Sequence, residues 1–300
     1  ASFNVNFEIY KEAIDYKKSG GFRNNVKGAA TARAAIGLNG LEKNIIQEKV
    51  NQLYKEFVSK LENSGYKIIS PDKAKNAEVY EGWQYAEGPY VKESGMPGVI
   101  TAIPDGYGFY FKREDKNGKK KKGFMEGQFI PQTLSKQLDD AIVADVDLYL
   151  MYSEEGSDWL KGNAAKVKIF TNYRLVNAYA VMAPKESGFR LKGSQSIDRI
   201  SSSITFTCGK GGLGAKAQYI GTLKKPLEIE GVIKKEKVVA YTPQSSATAT
   251  SIVPIVSVGE SFSKTTKWLE PDPEDYAMGL YNATSKFLDF HLNQFLSEIK

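Results

Sequence analysis

The chain has 300 residues, enough for one large domain or two average ones. Hydrophobic residues make up 41% of it and charged residues 25%, which is typical of a folded globular protein and not of a disordered chain. The single cysteine, Cys208, and the single histidine, His291, exclude an intramolecular disulfide and a zinc site built from Cys and His ligands. We assign no catalytic residue, metal site or cofactor from the composition.

Period-two alternation predicts a strand over 3–9. The small-residue segment 28–35 is interpreted as a loop or a thin helix. An apolar stripe then predicts a long amphipathic helix over 41–64, which Gly65 ends. A short strand over 66–69 and a second helix, capped by Ser70 and opened by Pro71, are expected to follow.

The middle of the chain combines an aromatic segment, 80–111, with a charged hairpin. The hairpin is predicted from a strand at 107–112, four lysines at its tip (119–122) and a return strand at 123–130. Aromatic residues are not interleaved with these lysines as a base-stacking surface would require, so we predict a solvated loop and no nucleic-acid partner.

Two long strands, 141–152 and 166–183, are predicted to form an antiparallel pair after a short helix that begins near Pro131. Asp145 and Asp147 share one face of the first strand, where we expect lysines of the second, Lys166 and Lys168, to pair with them. Paired carboxylates also suit a metal-dependent or acid–base enzyme, which stays open as an alternative.

Short strands are predicted over most of the remaining chain, at 200–208, 215–223, 227–233, 238–241 and 252–258. A terminal helix over 272–299 begins with Asp272 as its N-cap and Pro273 at its first position. The resulting prediction is a single α+β domain over 1–300. It has a mixed, mostly antiparallel sheet packed by the helices 41–64 and 272–299, with a β-rich extension at about 185–250.

Gly209, Gly211 and Gly214 match the G-x-G-x-x-G pattern of dinucleotide-binding loops. The residues that follow alternate like a strand, whereas a phosphate site needs a helix start there. We therefore interpret the glycines as a hairpin or chain-crossing loop. Cys208 is interpreted as a small buried residue and His291 as a packed residue beside the apolar stripe of the last helix.

The aromatic segment is the best candidate for ligand binding, because tyrosine and tryptophan on loops offer rigid amphipathic surface to glycans, small ligands or proteins. The candidate residues are Trp83, Tyr85, Tyr90, Tyr107 and Tyr110.

The order of elements is similar to that of the CsgG-like and TolB N-terminal-like bacterial envelope proteins. The residues that carry this resemblance are the helix and turn at 48–73 and the strand pair at 144–152 and 167–177. The resemblance implies an export-linked assembly role and carries over no catalytic residue. A chain that begins with Ala1 and not with Met is expected either for an exported protein whose signal peptide has been removed or for a chain that was trimmed at this end.

The leading hypothesis is therefore a non-enzymatic cell-envelope or secreted protein, periplasmic or extracellular, that binds a protein partner or self-associates. A cytoplasmic location stays open. The alternatives are a glycan- or small-ligand-binding module that uses the aromatic segment and a metal-dependent enzyme that uses Asp145 and Asp147. The apolar runs are too short to cross a bilayer as a helix.

Overall fold

The computed structural model describes residues 1–18, 29–93, 96, 98–112, 126–156, 165–182, 197–209, 217–242 and 260–298. Three α-helices form within these residues, together with two short 3₁₀ helices at Pro71–Asn76 and Glu78–Tyr80. The α-helices are α1 (Lys43–Asn63), α2 (Glu126–Gln137) and α3 (Pro273–Glu298). The strands are β1 (Ser2–Glu8), β2 (Tyr10–Lys18), β3 (Ala29–Leu38), β4 (Trp83–Glu87), β5 (Tyr90–Glu93), β6 (Val99–Ile103), β7 (Gly108–Lys112), β8 (Val143–Gly156), β9 (Ala165–Leu175), β10 (Tyr179–Met182), β11 (Ile197–Ile200), β12 (Ser203–Cys208), β13 (Ala217–Thr222), β14 (Leu227–Glu228), β15 (Lys237–Thr242) and β16 (Glu260–Leu269).

The main sheet is mixed and curls as a half-barrel. Its strand order is β13-β12-β8-β1-β6-β5, and β9 joins β8 and carries β14 and β15. The pairings β1–β8 and β3–β16 are parallel, whereas the other pairings among the described strands are antiparallel. The predicted α+β class is confirmed.

Helices α1 and α3 form where the apolar stripes predicted them, at 43–63 and 273–298. Asp272 caps α3, because its Oδ1 accepts the backbone N–H groups of Glu274 and Asp275, each at 3.0 Å. Both helices bury their stripes against the main sheet, where the Phe206 ring stacks on Phe295 with 3.8 Å between centroids. Burial of these stripes supplies most of the stability that the helices have.

The segment 28–35 is interpreted from its sequence as a loop or thin helix, but residues 29–35 are part of β3, and Gly28 lies outside the described residues. Ala30, Ala32 and Ala34 alternate along this strand and are fully buried, while Arg33 points to the opposite face. The small side chains let β3 lie close to β9 and β15 of the main sheet, and tertiary packing overrides the helix propensity of alanine. Strand β3 is the centre of a small sheet, ordered β16-β3-β2.

Two local strand predictions are wrong, and the predicted second helix forms as a short 3₁₀ helix. The return strand at 123–130 is helical in its described part, because β7 pairs with β4 and α2 begins at Glu126 and passes through Pro131. Residues 66–69 are extended but form no ladder with any described strand. The second helix is the 3₁₀ helix Pro71–Asn76, with Ser70 at its N-cap position and Pro71 at its start as predicted, but the Ser70 side chain makes no capping hydrogen bond.

The predicted antiparallel pair is confirmed as β8 and β9, but its register differs from the expectation. Lys168 lies opposite Gly156, far along the strand from Asp145 and Asp147, which face β1 and β12 instead. The expected pairing of these aspartates with Lys166 and Lys168 is therefore wrong. The second strand also divides at Leu175, after which β10 pairs with β11.

Strands β12, β13 and β15 lie in the segment for which we predicted a β-rich extension, and they join the main sheet through β8 and β9. The four lysines at 119–122 and the strand predicted at 252–258 lie outside the described residues. Among the residues that are described, no helix is both long and apolar enough to cross a lipid bilayer.

Candidate functional site

An apolar cavity of about 480 Å³ opens beside the start of β8. It lies between α1, the extended segment 66–70, the end of α2 and the aromatic end of β7. Its apolar lining combines aliphatic side chains with aromatic rings, namely Tyr54, Phe57, Val58, Leu61, Tyr66, Ile68, Ile69, Tyr80, Tyr110, Leu134, Leu138, Ile142, Phe206 and Phe295. A cavity of this size and character is in the range of small-molecule sites, which span about 300–1,000 Å³.

Two stacked tyrosines form one wall of the cavity. The rings of Tyr80 and Tyr110 lie almost parallel with 4.0 Å between centroids, and the Tyr110 hydroxyl donates to the Pro71 carbonyl at 2.7 Å. Burial, reinforced by the nearby charge of Asp145, raises the pKa of Tyr80 to about 12. The wall is therefore neutral and held in place at physiological pH.

The mouth of the cavity is rimmed by exposed apolar side chains. Ile68, Ile69 and Ile142 are 36%, 39% and 37% exposed, although all three line the cavity. Lys67 and Asp139 are its charged lining residues. Large aliphatic side chains that remain this open to water at a cavity entrance are typical of a binding site.

Three of the predicted binding residues cluster at this wall. Tyr110 lines the cavity, and Trp83 packs edge-on against Tyr80 at 5.4 Å. Tyr85 lies 5.2 Å from Tyr110 and has the ammonium group of Lys75 4.2 Å from its ring centroid. The antiparallel pairing of β4 with β7 therefore brings these residues together behind the cavity wall.

The other two predicted residues lie elsewhere. Tyr107 is 7% exposed and packs edge-on against Tyr54 of α1 at 5.4 Å, so it belongs to the core. Burial holds the pKa of Tyr107 well above its usual range. Tyr90 lies on β5, where its backbone pairs with Ile103 of β6.

Asp145 and Asp147 lie on the outer face of the main sheet and share hydrogen-bonding partners from β1. The Ser2 Oγ is 3.0 Å from Asp145 and 3.4 Å from Asp147, and the Asn4 amide donates to Asp147 at 2.7 Å. Burial, with a smaller contribution from Asp145, raises the pKa of Asp147. Because no third Asp, Glu, His or Cys joins them among the described residues, the two carboxylates are the whole candidate ligand set there.

The carboxylate of Glu8 is buried where the register of β8 shifts, between Met151 and Ser153. Its Oε2 accepts the backbone N–H groups of Tyr152 and Ser153 at 3.1 and 2.9 Å. Its Oε1 accepts the Ser153 hydroxyl at 2.7 Å and the Tyr179 hydroxyl at 3.3 Å. Because Glu8 accepts the hydrogen bonds of the donors at the register shift of β8, we assign it a structural role.

His291 is 7% exposed, which confirms the prediction of a packed residue. Its Nδ1 lies 2.8 Å from the Tyr219 hydroxyl, and its ring covers Gly221, where a Cβ atom would be only 2.5 Å away. Burial lowers the pKa of His291. Cys208 is half-buried, not buried as predicted.

The glycine motif connects two antiparallel strands. Cys208 of β12 lies opposite Ala217 of β13, so the chain continues as a strand where a dinucleotide site needs a helix. The interpretation as a hairpin connection is confirmed by this register, and Gly209 is the one motif glycine that lies within the described residues.

Sequence reasoning missed most of the cavity because its walls come from distant segments. The lining joins α1, residues 66–71, residues 134–144, Phe206 and Phe295. One signal was present in the sequence, the two adjacent isoleucines Ile68 and Ile69. Their apolar character predicts a strand, and only the tertiary structure shows that no described strand pairs with it.

No family model, curated protein or solved structure gives a significant match to this chain.

Proposed function

We propose that the protein is a non-enzymatic binding protein that captures a small, largely hydrophobic molecule in the cavity beside β8. The observation that carries this proposal is the combination of an apolar cavity of about 480 Å³ with an entrance rimmed by exposed isoleucines. The proposal develops the small-ligand alternative from the sequence analysis. It places the binding site at the Tyr80–Tyr110 wall and not around Trp83.

The hydrophobic effect supplies the affinity in such a site. Transfer of apolar surface from water contributes roughly 25 cal/mol per Å², so a ligand that buries about 300 Å² gains about 7 kcal/mol before the costs of association. The stacked tyrosines and the packed helix α1 require little reorganisation, which limits those costs. A gross gain of this size corresponds to a Kd of roughly 10 µM with no costs subtracted, so we expect a Kd of about 0.1 mM or weaker for a ligand that buries this area.

The test is a fluorescence titration with the neutral apolar probe N-phenyl-1-naphthylamine, followed by displacement with straight-chain alcohols of increasing length. We expect saturable binding of one probe per chain. Absence of saturable binding, or binding of many probes without a plateau, would contradict the proposal.

Cavity-filling variants locate the site. Ala144 lines the cavity, so Ala144→Phe should weaken probe binding by about tenfold or more as it occupies the space. Val58→Trp fills the same cavity from α1 and serves if Ala144→Phe does not fold. Ala217→Phe is the matched control, because Ala217 is an exposed strand residue outside the lining. Equal probe affinity in folded Ala144→Phe, Val58→Trp and Ala217→Phe would place the site elsewhere.

The envelope or secreted location and the assembly role expected from the resemblance stay predictions, as does the enzyme alternative based on Asp145 and Asp147. The proposal of ligand capture depends on none of them. Fractionation of the native host would test the envelope or secreted location. Activity screens with Mg²⁺ or Ca²⁺ that compare wild type with Asp147→Asn would test the enzyme alternative.

A further inference from the structure

As far as the described residues show, the small sheet has one buried and one exposed face. Its inner face carries the buried alanines of β3 against the main sheet. Its outer face, which we define by Glu12, Ile14, Tyr16, Arg33, Lys264 and Trp268, carries three of the most exposed large apolar side chains among the described residues. Ile14, Tyr16 and Trp268 are 52%, 56% and 57% exposed. An exposed group of this kind on a sheet marks an interaction surface.

The Trp268 ring lies flat on the sheet. It covers Gly37 of the neighbouring strand, where a Cβ atom would come within 2.3 Å of the ring, and it lies 6.3 Å from the ring of Tyr10. One face of the indole therefore packs on backbone while the other remains open. Tryptophan and tyrosine in this arrangement are the residue types that dominate binding energy at protein interfaces.

The charges of the outer face suit contact with a second copy of the same face. Glu12 on β2 pairs with Arg33 on β3 at 3.0 Å, and Lys264 on β16 lies opposite Arg33 in the sheet register. A two-fold axis along β3, between two such faces, places β2 of each copy over β16 of the other. Glu12 then lies about 7 Å along the strand and about 10 Å across the interface from the second copy's Lys264, a separation that the two side chains span together.

The same operation places Tyr10 of each copy over Trp268 of the other. Face-to-face packing of two sheets at about 10 Å allows such rings to interdigitate. The central Glu12–Arg33 pair enters the interface with its charges already matched, so association leaves no lone buried charge there.

The area of the face limits how much surface two copies can bury. Three strands of nine, ten and ten residues, spaced about 4.8 Å apart, cover about 460 Å², so two copies bury about 900 Å². Specific interfaces start near this value, and those below about 1,200 Å² are weak and reversible. We propose that the outer face of the β2–β3–β16 sheet pairs with the same face of a second copy to form a two-fold dimer with a micromolar Kd.

Sedimentation velocity of the full chain over about 1 to 300 µM tests the dimer, since the range brackets the Kd expected for an interface of this size. We expect reversible dimerisation in wild type and a loss of affinity of about tenfold or more in Ile14→Glu. Ile220→Glu is the matched control, because Ile220 is also a strand isoleucine and is 60% exposed, but lies on β13. A monomer over the whole range, or equal affinity in Ile14→Glu and wild type, would overturn the proposal.

A charge exchange makes the test independent of whether Ile14→Glu folds. Glu12→Lys and Lys264→Glu should each weaken the homodimer, because each places like charges across the two-fold axis. A mixture of the two variants should regain dimerisation, since both cross-interface pairs are then opposite in sign. If the mixture associates no better than either variant alone, the assigned symmetry is wrong.

Discussion

The buried carboxylate of Glu8 offers the sharpest test of how the main sheet is held together. In Glu8→Ala, the backbone N–H groups of Tyr152 and Ser153 lose the oxygen that accepts both of them. The Ser153 and Tyr179 hydroxyls lose an acceptor as well, but they can donate to each other across 3.0 Å. The two backbone groups are fixed in β8 and keep no such alternative.

The loss of stability in Glu8→Ala follows from these two backbone N–H groups. Each buried donor left without a partner costs about 1–3 kcal/mol, so Glu8→Ala should lower the free energy of unfolding by about 3–5 kcal/mol once lost packing is included. Glu8→Gln should cost only about 1 kcal/mol. Its amide oxygen still accepts the two backbone N–H groups, and its amide nitrogen donates to hydroxyls that rotate to accept.

Urea unfolding followed by circular dichroism measures both changes, with wild type, Glu8→Ala and Glu8→Gln compared at constant pH. A loss below about 1 kcal/mol in Glu8→Ala would refute the reasoning, because it would mean that the carboxylate does not close the irregularity of β8 in solution. Equal losses in the alanine and glutamine variants would also contradict it, since only alanine removes the acceptor.

The pH dependence provides a separate test of the same residue. Burial raises the pKa of Glu8 above its ordinary value of 4.5, so the native state holds the proton more tightly than the unfolded state. The resulting stabilisation is complete below pH 4.5 and is lost as the pH rises through the pKa of the folded protein. Stability of wild type relative to Glu8→Gln should therefore decline with rising pH, and an increase would refute the assignment.

Three further predictions concern the terminal helix and its contacts. Asp272→Ala should lower the free energy of unfolding by about 1 kcal/mol in urea titrations, because two N–H groups lose their cap. Gly221→Ala should cost about 1–3 kcal/mol because its Cβ would meet the ring of His291, and Gly221→Ala combined with His291→Ala should recover part of that loss. Burial lowers the pKa of His291 below 6.5, so its contribution to stability is present above that pH and is lost as the pH falls. Thermal melts from pH 7.5 to 5 should show this decline in wild type and a weaker one in His291→Gln, whereas parallel curves would contradict it.

The elements that could be predicted from the sequence are those whose signal is local. The apolar stripes of α1 and α3 repeat at the helical period, and Asp272 begins α3 with a side chain that caps it, so these helices depend little on the rest of the chain. The alternation in β1, β8 and β12 likewise marks strands with one buried face. Together these patterns were enough for the α+β class and for the antiparallel neighbours β8 and β9.

The candidate site was only partly predictable. Tyr110 of the aromatic segment lines the cavity, yet Tyr107 belongs to the core, and Leu134 of α2, Phe206 and Phe295 join the lining from distant segments. No local pattern links these segments, because their proximity depends on how α1 and α3 pack across the sheet.

By itself, the sequence determined which segments are amphipathic, where the last helix begins and that Cys208 and His291 could not form a zinc centre. Only the tertiary structure decided the pairing and the register. It made residues 29–35 part of a strand, because alanines that look helical in isolation permit two sheets to approach closely. It also left 66–69 without a partner among the described strands, and Ile68 and Ile69 of this segment line the cavity instead. Periodicity reports which face of a segment avoids water, whereas the identity of the neighbour depends on long-range packing that no short stretch of sequence contains.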